Sequence, residues 1–217
     1  MNILILIIIV TAVISFIAFN NAGIFEKYKF SVGAILNRKE YIRLLSAGFL
    51  HADIMHLLFN MLTLYFFGPI VIEGFGNVGF LLIYFGSILL GNIFSLFIYQ
   101  KQPWYSAIGA SGGVSGILFA AIAMIPNLGI YLFFIPIPIP GYVFGLVYFG
   151  YSVYMMLNPK EHDNIGHAAH LGGAFFGLVY AVIIQPERAM QNALYLGIMA
   201  IPLLYLSYEI FIRKRIG

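Results

Sequence analysis

Seven apolar runs, most of them close to the roughly 20 residues an α-helix needs to cross a bilayer, follow one another along this chain, and they leave few folds open. They extend from about Ile3 to Phe19, Met55 to Ile72, Val78 to Tyr99, Ser111 to Ile125, Tyr142 to Leu157, His167 to Ile184 and Asn192 to Ile212. An uninterrupted helix satisfies its own backbone groups in hydrocarbon, so each run reads as a span. The composition agrees. Only 9% of the 217 residues are charged and 62% are hydrophobic, where a soluble domain carries roughly 25% charged residues. With a mean hydropathy of +0.96, the expected fold is an all-α polytopic membrane protein whose solvent is the lipid bilayer. Residues 1–19 have no basic leading segment, no small-residue cleavage site and no Arg-rich transit pattern, so they read as a first span and not as a signal peptide.

The formal net charge is +3, and the basic residues are scattered, which gives nucleic acid no electrostatic footprint to bind. There is no Cys. That excludes disulfides, thiolate nucleophiles and Cys-ligated metal, so any hard chemistry must come from Ser, His, Asp, Glu or Lys. The connection from Asn20 to Asp53 mixes charge with Phe25, Phe30, Leu44, Leu45, Phe49 and Leu50 and should fold against the bundle or lie in the interface. Ile135 to Pro140, IPIPIP, cannot be helical, because each Pro removes a donor and pushes its predecessor out of the α region. All Lys and Arg except Arg188 fall on one side of the seven-span layout. By the positive-inside rule the N-terminus then lies outside.

Polar residues in the spans are functional candidates by default. His51 and His56 stand at the entry of the second span, with Asn60 one turn after His56 on the same helix face. His167 and His170 open the sixth. A non-chemical reading has these side chains pinning helices together through hydrogen bonds. The fourth span begins IGASGGVSGILFA and holds two G-x-S-G units, centred on Ser111 and Ser115. Serine flanked by glycine can act as a nucleophile beside open backbone N–H groups. Glycines here also suit a packing seam, through Gly109, Gly112, Gly113 and Gly116, matched by Gly173 and Gly177 in the sixth span. Two such seams would bring a Ser on one helix to a His on the other. A helix over Ser111 to Ile125 rises only about 22 Å against a hydrocarbon thickness of about 30 Å, so its first residue should be recessed below one membrane surface.

From about Glu40 to Ile184 the chain resembles the rhomboid family of intramembrane serine proteases. Its marks stand here as Tyr41-Ile42-Arg43, His56 to Asn60, Gly109-Ala110-Ser111-Gly112 and Ala169-His170-Leu171-Gly172-Gly173. The resemblance implies a rhomboid-like six-helix bundle in one membrane-embedded domain over 1–217, with an added seventh span at about 192–212; because the first apolar run begins at Ile3, no soluble domain is expected before it. It implies Ser111 as nucleophile, His170 as general base and later acid, and His56, Asn60 and the Ser111 N–H as oxyanion donors. The family pattern selects Ser111 over Ser115 and His170 over His167. His51 and Arg43 match positions that brace the first loop, and Glu73 matches a buried loop-anchoring carboxylate. Many members carry an aromatic residue where Ser115 stands, packed on the catalytic His, so that ring contact should be lost. The family's usual orientation, N-terminus in the cytoplasm, opposes the charge count.

The expected activity is that of a Ser–His intramembrane endopeptidase, with no cofactor and no metal, acting on transmembrane protein substrates in a prokaryotic-type cell membrane. Asp163 is expected to be solvated and outside the mechanism. Substrate should enter sideways past the fifth span, beneath a movable cap at Asn158 to Gly166, and should carry helix-weakening residues near the cut. Two rivals are an inactive relative that binds or escorts membrane proteins, and a metalloprotease or metal transporter using the histidines as ligands.

Overall fold

The computed structural model describes residues 2–132, 136–160, 163 and 165–216. Helix α1 runs over Ile3–Phe19, opened by Asn2, whose side-chain oxygen accepts the Leu4 N–H at 3.0 Å. The following connection is folded: α2 (Ala22–Tyr28), strand β1 (Phe30–Ser31), α3 (Val32–Arg38), α4 (Arg43–Ser46) and a 3₁₀ turn over Ala47–Phe49. Buried Arg43 holds it together. Its guanidinium donates to Glu40 Oε2 at 2.6 Å, to the Glu26 carbonyl at 2.8 Å and to the Lys29 carbonyl at 2.7 Å. Hydrogen bonds from Arg38 and Arg43 hold the Glu40 carboxyl below its ordinary range.

The second and third expected spans form one element, α5 (Ile54–Tyr99), bent at Gly76. A straight helix of this length would reach about 69 Å, more than twice the hydrocarbon thickness. Gly76 breaks it with φ 70° and ψ 176°, a conformation open to glycine and strained for other residues. Glu73, expected as a buried anchor, is exposed just before this bend. The register of α5 turns it outward.

Strand β2 (Ser106–Ala107) pairs antiparallel with β1 and leads into α6 (Ser111–Met124), the centre of the molecule, where every residue from Gly112 to Met124 is buried. Helix α8 (His167–Ile184) lies along α6 at the expected glycine seam. A Cβ at Gly173 would collide with the backbone of Gly112, and one at Gly177 with that of Gly116. The second half of α5 joins the seam, with Gly91 against the Ala169 carbonyl. Small residues let the backbones touch, and dispersion over that contact replaces the hydrophobic drive that is absent in lipid.

The Pro-rich segment is non-helical over 136–140, and β4 (Ile139–Pro140) pairs with β3 (Gly129–Ile130). Ile135 lies outside the described residues. Helix α7 (Gly141–Leu157) follows and packs on α8. After the short α9 (Pro186–Gln191), α10 (Ala193–Phe211) lies against α7, with Met199 in the notch above Gly145. The tail fastens the same pair. Arg215 donates to the Leu157 carbonyl at 3.2 Å and to Asn158 Oδ1 at 3.1 Å. Outward-facing Val13, Val147, Leu194, Leu204 and Phe211 are all more than half exposed, which suits a surface solvated by lipid and not by water.

Candidate active site

Ser111 owes its place to the segment before it. Gly109, at φ 121°, makes a turn that L-residues disfavour, and its N–H donates to the Ala47 carbonyl at 3.0 Å. The next N–H, of Ala110, donates to His51 Nε2 at 3.3 Å. An acceptor at Nε2 leaves the proton of neutral His51 on Nδ1, which donates to Ser15 Oγ at 2.8 Å, while the Ser15 hydroxyl donates to the Phe49 carbonyl at 2.8 Å. Burial holds the His51 imidazole well below its ordinary pKa, and the neighbouring His56 adds to this. The loop that opens α6 is thus tied to α1 and to the first connection through one neutral imidazole.

Ser111 is the first residue of α6, whose first intrahelical bond runs from the Val114 N–H to the Ala110 carbonyl at 2.9 Å. The N–H groups of Ser111, Gly112 and Gly113 precede it and have no acceptor within the helix. On the facing helix, His170 stands in the first turn of α8, and its Nε2 lies 2.6 Å from Ser111 Oγ. The glycine seam sets this distance by allowing α6 and α8 to approach so closely. Ser115, one turn further along α6, is buried and shares its 2.7 Å hydrogen bond with Tyr148 and not with a histidine.

His56 and Asn60 arrive from the start of α5. Asp53 caps that helix by accepting the His56 N–H at 2.8 Å, which sets His56 in the first turn. The Ala52 N–H points at His56 Nδ1, at 3.4 Å, so the ring proton belongs on Nε2, where it is free to donate. A Cβ at Gly109 would lie 2.9 Å from His56 Nε2 and 3.5 Å from Ser111 Oγ, so both groups converge on the space above that glycine. The Asn60 amide donates to the His56 carbonyl at 2.9 Å, keeping a second N–H available. Asn60, Ser111 and His170 line one cavity of about 970 Å³, walled by Phe59 and Phe66 of α5 on one side and Phe144 and Tyr148 of α7 on the other.

Comparison with known proteins decides the lineage of this arrangement. The family model of the rhomboid domain matches residues 38–187. The chain belongs to the rhomboid family. Among its relatives, Rhomboid protein 1, mitochondrial, of Saccharomyces cerevisiae is 30% identical over 180 residues, covering 76% of this chain and 51% of the relative. RHOMBOID-like protein 12, mitochondrial, of Arabidopsis thaliana is 32% identical over 160 residues, 67% of this chain and 47% of the relative. Rhomboid protease GluP of Bacillus subtilis is 33% identical over 144 residues, 66% of this chain and 26% of the relative. The chain spans about half the length of the first two. As a rhomboid with several apolar helices it is an integral, multi-pass membrane protein. Two of the three names say mitochondrial, and the third relative is from a bacterium.

Of the four side chains expected from the sequence, Asn60, Ser111 and His170 line one cavity in this rhomboid, and His56 reaches the space above Gly109 beside Ser111. Two expectations change. Asp163 is not solvated: its Oδ2 lies 3.0 Å from His167 Nε2, with the carboxylate side chain 14% exposed, because the chain entering α8 brings it over the first turn. It pairs with His167 and not with His170. The aromatic contact expected to be lost at Ser115 is present from another helix: the Tyr148 ring of α7 lies 6.3 Å from that of His170 at 21°. The sequence signal was there only as one of several α7 aromatics, with nothing to single it out. Of the proposed cap, Glu161, His162 and Asn164 lie outside the described residues. Among the described residues no three His, Asp or Glu side chains gather as a metal site.

Proposed function

We propose that this rhomboid is an intramembrane serine endopeptidase that hydrolyses a peptide bond within or beside a transmembrane segment of another membrane protein. The observation that carries the reading is the 2.6 Å approach of Ser111 Oγ to His170 Nε2 at the cavity. Ser111 donates its proton to Nε2 as Oγ attacks the scissile carbonyl. The negative charge that forms on the carbonyl oxygen is met by His56 Nε2–H, the free Asn60 N–H and the unpaired N–H groups at the start of α6. The imidazolium then protonates the leaving amine, the C–N bond breaks, and water, deprotonated by His170, releases the acyl group. Asp163 is turned to His167, so the catalytic unit is a dyad.

The helical substrate backbone is internally bonded, so the cut falls where Gly, Pro or other weak helix formers free a carbonyl. The apolar rings of α5 and α7 on either side of the cavity suit lateral entry between those helices. A fluorophosphonate probe tests the reading directly. The expected result is covalent labelling of Ser111 in the wild type, lost in Ser111→Ala and His170→Ala, with cleavage of a transmembrane reporter lost in parallel. An unlabelled Ser111, or labelling that survives Ser111→Ala, overturns it, and an escort or metal-dependent role would give that outcome.

A further inference from the structure

Among the described residues, the base His170 is hydrogen-bonded at one ring nitrogen. Its Nε2 meets Ser111, and none of the described residues forms a hydrogen bond with Nδ1. An imidazole tethered at one atom by a short bond can still rotate about χ2, and an orientation error near 1 Å at a reacting atom is enough to lower a rate by about 10². Among the described residues, the plane of the ring is left to packing contacts.

The geometry points to Tyr148 as the positioning residue for His170, an inference that rests on the reading of Ser111 and His170 as nucleophile and base. The two rings are nearly parallel, at 6.3 Å and 21°, within the offset-stacking range for aromatic groups. Tyr148 is in turn fixed at its far end. Its hydroxyl shares a 2.7 Å hydrogen bond with Ser115 Oγ, and its ring packs on Phe119 at 5.3 Å and Phe144 at 5.8 Å. Ser115 follows Ser111 by four residues, on the same face of α6. The four side chains therefore close a circuit: Ser111 bonds His170, His170 stacks on Tyr148, Tyr148 bonds Ser115, and α6 joins Ser115 back to Ser111. A small residue at position 115 is what the circuit requires, because a ring there would occupy the space Tyr148 fills. The positioning group stands on α7, across the cavity from the first half of α5. The alignment of the base consequently depends on α7 being seated against α6 and α8, and a substrate that levers α7 away would misalign His170 until α7 returns.

The test uses the purified full chain and three measurements on each sample: the rate of Ser111 labelling by a small fluorophosphonate, kcat and KM on a transmembrane reporter, and the melting temperature. Tyr148→Phe keeps the ring and loses the anchor, as Ser115→Ala does, so each should slow labelling by no more than about 5-fold, and the double variant should be no slower than either, since one hydrogen bond is lost in all three. Tyr148→Leu removes the ring and should slow labelling and kcat together by about 10- to 100-fold, with KM within about 3-fold of wild type. Should Tyr148→Leu fail to fold, Tyr148→Met fills comparable volume without a ring and serves the same comparison. Recovery in Phe but not in Leu or Met separates ring stacking from bulk. Wild-type labelling rates in a folded Leu or Met variant would overturn the inference. So would slowed reporter cleavage with unchanged labelling, which would make Tyr148 a wall of the entry path. A wild type that is not labelled at all marks instead the failure of the Ser–His reading, and this inference falls with it.

Discussion

Asp163 Oδ2 lies 3.0 Å from His167 Nε2, one helical turn before the imidazole that reaches Ser111. The carboxylate that could have completed a triad is thus committed to the histidine on which no nucleophile depends. Asp163→Asn should change reporter cleavage by less than about 3-fold, whereas removing the acid of a triad in a soluble serine protease lowers kcat by about 10⁴. Steady-state cleavage at saturating reporter measures it, and a loss of the larger size would bring Asp163 into the mechanism. His167→Ala should likewise retain measurable turnover.

The oxyanion donors should show their role in kcat. Asn60→Ala removes an N–H that matters only when charge forms on the carbonyl, and one such donor is worth about 10²- to 10³-fold where it has been measured. The expected result is a large fall in kcat with KM little changed, softened by the backbone N–H groups at the start of α6. His56→Ala should behave alike, with some loss of stability because its ring packs edge-on against His51 at 4.9 Å. Near-normal single-turnover rates in a protein of lower melting temperature would reduce both residues to helix pins.

His51 predicts a different signature. Its ring links the Ala110 N–H to Ser15, so His51→Ala leaves the buried Ala110 N–H short of a partner, worth about 1 to 3 kcal/mol, while Ser15 keeps its bond to the Phe49 carbonyl. The melting temperature should fall, and the folded fraction should show lower kcat because the turn carrying Ser111 is no longer held. Unchanged stability would mean that Gly109 and Ala47 suffice to hold the loop.

The seam between α6 and α8 should tolerate no side chain. Gly177→Val would drive a branched side chain into the Gly116 backbone, an overpacking of about 1 to 3 kcal/mol or more. At about 2 to 4 °C per kcal/mol for a chain of this size, the melting temperature should fall by about 2 to 12 °C. Thermal unfolding in detergent gives the measurement, with loss of Ser111 labelling expected wherever the helices have separated.

Chelation should leave activity intact, because no step of the proposed reaction uses a metal. Cleavage measured with and without EDTA tests this. Inhibition reversed by added zinc would revive the ligand reading of the histidines.

The apolar runs, their lengths and the breaks between them were legible in the sequence because lipid imposes one rule on every span: the backbone must satisfy itself, and a helix of fixed rise does so over a countable number of residues. That a serine of the fourth span would meet a histidine of the sixth was legible for a related reason, while the choice of Ser111 and His170 among the candidates came from the resemblance to rhomboids. Glycines at fixed helical spacing on two spans mark where backbones touch, and the Ser and His stand at the ends of those stripes. What lay beyond the sequence depends on which residues from separate helices share a small volume. Asp163 turned to His167 because of how the chain enters α8, and Glu73 turned outward because of the register of α5 at Gly76. The tyrosine that stacks on His170 comes from α7, a helix whose rotation and depth are set by packing on α8 and by Met199 and Arg215 of the seventh span and its tail. Local propensity constrains none of these contacts, since each joins residues far apart in the chain whose meeting is fixed only once the helices have packed.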